Sequence, residues 1–213
     1  MQKGNQKFKT EVRREQITQA TFDVIAHQGV KGLTVAAIAK KAGVSEANLY
    51  RHFKNKNDIL KQAVENVGTG LLENLRRIQD AAADEPLVKL RNLFRLHLGY
   101  IEENEGIPRL VFSEEIHLGN HEFREILLNA INYYAMGVES FIREGQTNGS
   151  IDRDADASAL ALIFIGMIQM STLKWSLNDF SFPLVDEGMR LWDNFERCIG
   201  SPNYNKDIMN YNK

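Results

Sequence analysis

Between Ala42 and Leu60 the chain reads AGVSEANLYRHFKNKNDIL, and Tyr50, Arg51, His52, Lys54 and Lys56 fall within seven positions of it. Side chains of these types suit a polyanion. A guanidinium such as Arg51 can donate to O6 and N7 of guanine, the amide of Asn48 can pair with N6 and N7 of adenine, and Ala47 is small enough to pack on a thymine methyl. Tyr50, His52 and Lys56 suit phosphate oxygens, which set register without reading sequence. A charge run by itself is usually a solvated face, so the elements that carry it must decide.

Leu49 and Phe53 are one helical turn apart and define an inward direction. At about 100° per residue, Ala47 and Arg51 then point outward, flanked by Asn48 and Tyr50. Ser45 reads as the N-cap of this helix (45–53), with Val44 and Leu49 at the spacing of a hydrophobic staple. Before it, Thr34 is a natural N-cap for a short helix in which Val35, Ile38, Ala39 and Ala42 keep one face, and Gly43 ends that helix. A first helix over 10–28 carries Ile17, Ala20, Thr21, Val24 and Ile25 on one side and stops at Gly29. Helix, tight glycine turn and stapled helix describe a helix-turn-helix. Charge agrees: residues 1–61 hold 12 Lys and Arg against 5 Asp and Glu, whereas the remainder holds 14 against 23. A basic front on an acidic body favours one docking orientation on a polyanion.

The remaining elements are also helical, and the 213 residues read as all-α, with an N-terminal three-helix helix-turn-helix domain (1–55), a larger helical domain (56–202) and a frayed tail (203–213). A fourth helix is expected over 56–80, with Gly68 and Gly70 each weakening it by about 1 kcal/mol and inviting a kink. Pro86 opens a fifth with Leu90, Phe94, His97, Leu98 and Ile101 on one face. A sixth is expected over 109–118, a seventh over 122–146, an eighth from Asp154 or Asp156 through Met170, and a ninth after Pro183 with Val185, Met189, Trp192, Phe195 and Ile199 aligned.

From Arg13 to Leu60 the chain strongly resembles the DNA-binding domain of TetR-family transcriptional regulators. The motif residues are the Leu33-Thr34 entry, Ala39, Gly43, and Leu49-Tyr50 followed by His52-Phe53 and Lys56. The resemblance implies a homodimeric repressor of nine or ten helices whose C-terminal domain binds a small inducer. By matching positions it implies DNA contacts at Thr34, Ser45, Asn48, Tyr50, His52 and Lys56; helical geometry adds Ala47 and Arg51. Glu46 suits a helix N-terminus but repels phosphate, unless it accepts from cytosine.

The eighth helix is apolar on nearly every side and must be covered on every side, by its own core or by a second copy through helices eight and nine. An apolar inducer pocket is expected among Phe94, His97, Ile101, Phe112, Tyr133, Tyr134, Met167, Met170 and Trp175, each of which is also an ordinary core residue. Glu114, Glu115, His117 and His121 hint at a metal, but Gly119 and Asn120 break the i, i+4 geometry, and neither metal nor cofactor is expected. No phosphate loop or nucleophile-base pair argues for an enzyme. The alternatives are a transcriptional activator, a DNA-binding protein without sequence preference and, behind both, an all-α enzyme with a basic patch for an anionic substrate. The longest apolar run, 159–168, is short for a membrane span, and a single cysteine suits a reducing cytoplasm, where the protein is expected.

Overall fold

The computed structural model describes residues 2–80 and 85–201; the expected frayed tail lies outside them. The helices are α1 (Gln2–Gln28), α2 (Val35–Lys41), α3 (Glu46–Leu49), α4 (Lys56–Asp80), α5 (Pro86–Glu102), α6 (Gly106–Val111), α7 (His121–Asn148), α8 (Ala157–Leu177) and α9 (Leu184–Ile199), with a π-helical turn at Glu115–Gly119. Among the described residues the one extended pairing is an isolated bridge between Ile151 and Gly200. The chain divides into two compact units, Met1–Thr69 with Asn104–Leu128, and Gly70–Glu103 with Asn129–Lys213. The division thus falls inside α4 and α7 rather than at the expected 55/56.

In the first unit, Ile17, Ile25, Leu33, Ile38, Leu49 and Ile59 are wholly or almost wholly buried. Ile17, Ile25, Ile38 and Leu49 lie on the predicted inward faces, whereas Val35 and Ala42 of the predicted α2 face are only half-buried. α1 starts earlier than expected because an apolar stripe, which begins only at Ile17, cannot report a helical segment that precedes it. Thr34 accepts from the Ala37 amide at 3.1 Å and caps α2. At the other end Gly43 has φ 66°, while Val44 N–H donates to Ala39 and Gly43 N–H to Lys40. That pair of bonds is a Schellman closure, and its left-handed residue favours glycine.

The sixth helix differs from its prediction. It begins at Gly106, places Pro108 in its first turn, where a missing N–H costs little, and ends at Val111. Its packing explains Gly106: a Cβ there would stand 2.1 Å from the Phe22 carbonyl oxygen of α1. Arg109 also donates to the carbonyl of Ala26, so α6 belongs to the first unit.

The second unit is built on α5, whose buried Leu90, Phe94, His97, Leu98 and Ile101 match the predicted face. α9 buries Met189, Trp192, Phe195 and Ile199 as expected, while Val185 is half-buried. α4 runs unbroken through Gly68 and Gly70. The Tyr100 ring occupies the space that a Cβ at Gly70 would need, 2.3 Å from its Cζ, so close packing accounts for that glycine. α8 is capped by Asp156, which accepts from the amides of Ser158 and Ala159. It is longer than its uninterrupted apolar run suggested, and by length and composition it could cross a membrane. Instead Ala161, Phe164, Ile165, Ile168 and Trp175 join the core that α5 and α9 share.

Candidate nucleic-acid interface

α3 is a single turn. Ser45 accepts from the Asn48 amide at 3.1 Å, and the helix proper closes at Leu49, with Tyr50 to His52 following as turns. The expected helix to Phe53 is therefore shorter, although the Phe53 amide still reaches the Leu49 carbonyl at 3.1 Å. Leu49 and Phe53 are 0% and 1% exposed, and Tyr50 is 51% exposed. Ala47 and Arg51 are likewise in solvent, as their spacing predicts. Thr34 and Ser45 use their oxygens as cap acceptors, which leaves each hydroxyl hydrogen free to donate.

Two of the expected contacts sit less openly. Asn48 is half-buried, and its Oδ1 is enclosed without a hydrogen-bond partner. As placed, the amide cannot offer both its atoms to a base edge. His52 Nδ1 is enclosed in the same way. Burial, followed by the charges of Arg13, Arg14 and Arg51, pushes the His52 pKa down. The neutral form of the ring is thereby favoured. Lys56 Nζ donates to the Leu33 carbonyl at 3.2 Å, which sets its ammonium beside the Thr34 cap. Asn55 caps α4 by accepting from Asp58, and Asp58 in turn accepts from the Lys54 amide at 3.0 Å.

Arg14, which no spacing in the sequence singles out, reaches this turn from α1. Its Nη1 donates to the His52 carbonyl at 2.8 Å, and its Nη2 and Nε reach Gln62 Oε1 at 2.6 and 3.2 Å. The guanidinium also lies 4.4 Å over the Phe53 ring.

In the second unit, six of the predicted pocket residues face inward: Phe94, His97, Ile101, Tyr134 and Trp175 are buried and Met167 is half-buried. The other three do not. Tyr133 and Met170 are 65% and 63% exposed, because each lies roughly a quarter turn or more from its buried neighbours Tyr134 and Ile168. Phe112 is 38% exposed and belongs to the first unit, at the end of α6. Around Phe94 the space is filled with rings: Phe164 and Trp192 lie 5.3 and 5.7 Å from it, centroid to centroid. Elsewhere in α8, Thr172 Oγ1 is buried without a hydrogen-bond partner. Two open clefts of about 620 and 370 Å³ lie elsewhere, one along α7 at Glu139 and Arg143, the other between α4 and α5 at Asn74 and Gly99.

Glu114 pairs with Lys31 at 2.7 Å and His121 with Glu125 at 3.4 Å. Among the described residues no cluster of three His, Cys, Asp or Glu could hold a metal.

Residues 17–63 match the model of bacterial regulatory proteins of the tetR family, and residues 83–175 match the tetracyclin repressor-like C-terminal domain. The chain belongs to the TetR family. It is therefore a DNA-binding transcriptional regulator rather than an enzyme. It is 28% identical to the nucleoid occlusion factor SlmA of Vibrio cholerae over 84% of this chain and 90% of that protein. It resembles the transcriptional regulator FadR of Bacillus subtilis, solved in complex with stearoyl-CoA, with TM-score 0.70, 25% identity, and coverage of 85% of this chain and 96% of that one. The fatty acid degradation regulator FadR of Bacillus halodurans shares the fold with TM-score 0.74 at 22% identity, over 86% and 94% of the two chains.

Proposed function

We propose that this TetR-family protein is a homodimeric repressor that binds a pseudo-palindromic operator and is released by a largely apolar small molecule. One observation supports the operator reading above the others. The buried pair Leu49 and Phe53 fixes a rod one turn long whose opposite edge, Ala47, Tyr50 and Arg51, stands in solvent. Arg51 and Ala47 read bases, with Asn48 joining them if its amide turns outward. Thr34, Ser45, Tyr50, His52 and Lys56 hold phosphates.

The dimer reading rests on α8. Ala159, Leu162, Ile163, Gly166 and Met170 form an outward row at helical spacing, with Leu162 69% and Met170 63% exposed. A contiguous apolar row in water calls for a cover, and a second copy laid across a two-fold axis covers it with the same row. Leu191 of α9, also exposed, extends the seam. Two reading rods must then stand roughly 34 to 36 Å apart to enter successive major grooves. An effector that prefers another spacing releases the DNA.

For the effector we infer a long-chain acyl-CoA, whose acyl chain is the apolar part taken up by the protein while its anionic coenzyme A group stays in solvent. The Bacillus subtilis FadR that this chain resembles was solved with stearoyl-CoA. The core that holds Phe94, Ile101, Met167 and Trp175 is apolar, with His97 and Tyr134 paired inside it, and an acyl chain entering there has to displace the rings packed on Phe94. The experiment is selection of the purified protein on random duplexes, followed by release assays with stearoyl-CoA and with coenzyme A alone. We expect one pseudo-palindrome bound about 10³-fold or more above random DNA at fixed salt, and released only by the acylated form. A monomer without a preferred duplex would remove the reading.

A second reading follows from the Vibrio cholerae relative, which is a nucleoid occlusion factor. Chromatin mapping separates the two. A repressor occupies promoters whose transcripts rise when its gene is deleted, whereas the second reading leaves those transcripts unchanged.

A further inference from the structure

We infer that Arg14 is a positioning residue for DNA reading, tying the first turns of α4 to the backbone of the turn that presents Tyr50 and Arg51. The inference rests on the operator reading above. A helix of one turn has almost no stability of its own, so its direction is set by whatever grips its two ends. Ser45 grips the first end through the Asn48 amide. At the other end the chain turns away after Phe53, and the His52 carbonyl has no helical amide to accept from. Arg14 supplies the missing donor at 2.8 Å and so fixes the turn that follows α3.

The rest of the guanidinium fork is committed too. Nε and Nη2 both donate to Gln62 Oε1, and Gln62 is itself oriented, since its Nε2 donates to Asn66 Oδ1 at 2.9 Å. The guanidinium carbon lies over the ring of Phe53, one of the two buried residues that aim the rod. One side chain thus spans α1, the recognition turn and α4 with three hydrogen bonds and a ring contact. Lysine could not replace it, because an ammonium lacks the planar fork that serves two acceptors in fixed directions while lying over a ring. The oxygens it serves belong to an amide and a carbonyl rather than a carboxylate, so the contact is directional rather than an ion pair.

The test compares wild type with Arg14→Gln, Arg14→Lys, Gln62→Leu and the Arg14→Gln/Gln62→Leu double variant. Three quantities are read: affinity for the selected duplex over random duplex at fixed salt, the salt slope of binding, and melting temperature. Arg14→Gln should lower the preference for the selected duplex roughly tenfold, with the salt slope unchanged because no phosphate contact is lost. Arg14→Lys should not restore it. Gln62→Leu should lower it in the same direction, and the double variant should match Arg14→Gln within about twofold, because both act through one clamp.

Variants that melt cooperatively and keep the wild-type preference would overturn the positioning role. A salt slope that falls together with affinity for both duplexes would make Arg14 a phosphate contact instead, which overturns it as well. Should Arg14→Gln fail to fold, Gln62→Leu decides by the same readings. A wild type with no preferred duplex removes the operator reading and this inference with it; a wild type with a preference that its variants retain removes this inference alone.

Discussion

Nδ1 of His97 and the hydroxyl of Tyr134 lie 3.1 Å apart, their rings edge to face at 84°, within the core of the second unit. Burial alone pushes the His97 pKa down to about 3, so the folded protein holds this imidazole neutral. The unfolded chain takes up the proton at about pH 6.5. His97 therefore contributes stability that is complete above about pH 6.5 and is lost as pH falls from there toward about 3.

Denaturant unfolding across that window should show this loss. Each bound proton tilts stability by about 1.4 kcal/mol per pH unit. His97→Gln keeps a hydrogen-bonding partner for Tyr134 but cannot titrate, and should flatten the dependence by about that slope. An unchanged slope would mean that His97 is charged or open to water in the native state.

Gly43→Ala puts a Cβ at φ 66°, in the turn between α2 and α3. No neighbouring atom lies within 4 Å of it, so the cost is backbone strain alone, about 1 to 2 kcal/mol. Thermal unfolding should read a loss of that size. A neutral result would mean that the turn can adopt another conformation.

These positions differ in how openly the sequence displays them. Thr34, Ser45 and Gly43 act on amides within a few residues of themselves, so local spacing was enough to find them. The clamp from Arg14 to Gln62 joins residues 48 apart, and no periodicity encodes it. A basic residue one turn before the first core position, Ile17, was the available signal, and it is a weak one. Tyr133 and Tyr134 were equally plausible inward until the phase of α7 was known, since neighbours on a helix point about 100° apart. The filling of the interior by Phe164 and Trp192 was hidden for a related reason. Each lies on a helix with other aromatic or apolar residues, and which of them meet depends on how α5, α8 and α9 pack together. The bounds of α6 are not legible locally, because its partner, Phe22 of α1, lies far upstream in the chain.

Leu162→Glu tests the α8 seam. In a lone chain the side chain is 69% exposed, so the substitution should leave the melting curve of a monomer almost unchanged. Across a two-fold axis it sets carboxylates into a desolvated apolar seam, and the pair must separate or protonate. Sedimentation should record a dimer for wild type and a monomer for the variant. An unaltered dimer would direct attention to another surface.

Arg51→Ala and Lys56→Gln separate base reading from phosphate holding. Arg51 is exposed on the outward edge beside Ala47, whereas Lys56 reaches back to the Leu33 carbonyl next to the Thr34 cap. Removing the guanidinium should cost about 1 to 3 kcal/mol on the selected duplex and relax its sequence preference at one position in each half-site. Removing the ammonium should weaken every duplex alike and lower the salt slope by about 0.9 per chain. The two effects differ because counterion release counts phosphates and is blind to bases. If both variants lose affinity uniformly and leave preference intact, Arg51 also rests on the backbone, and the base edge is read from Ala47, Asn48 or Tyr50.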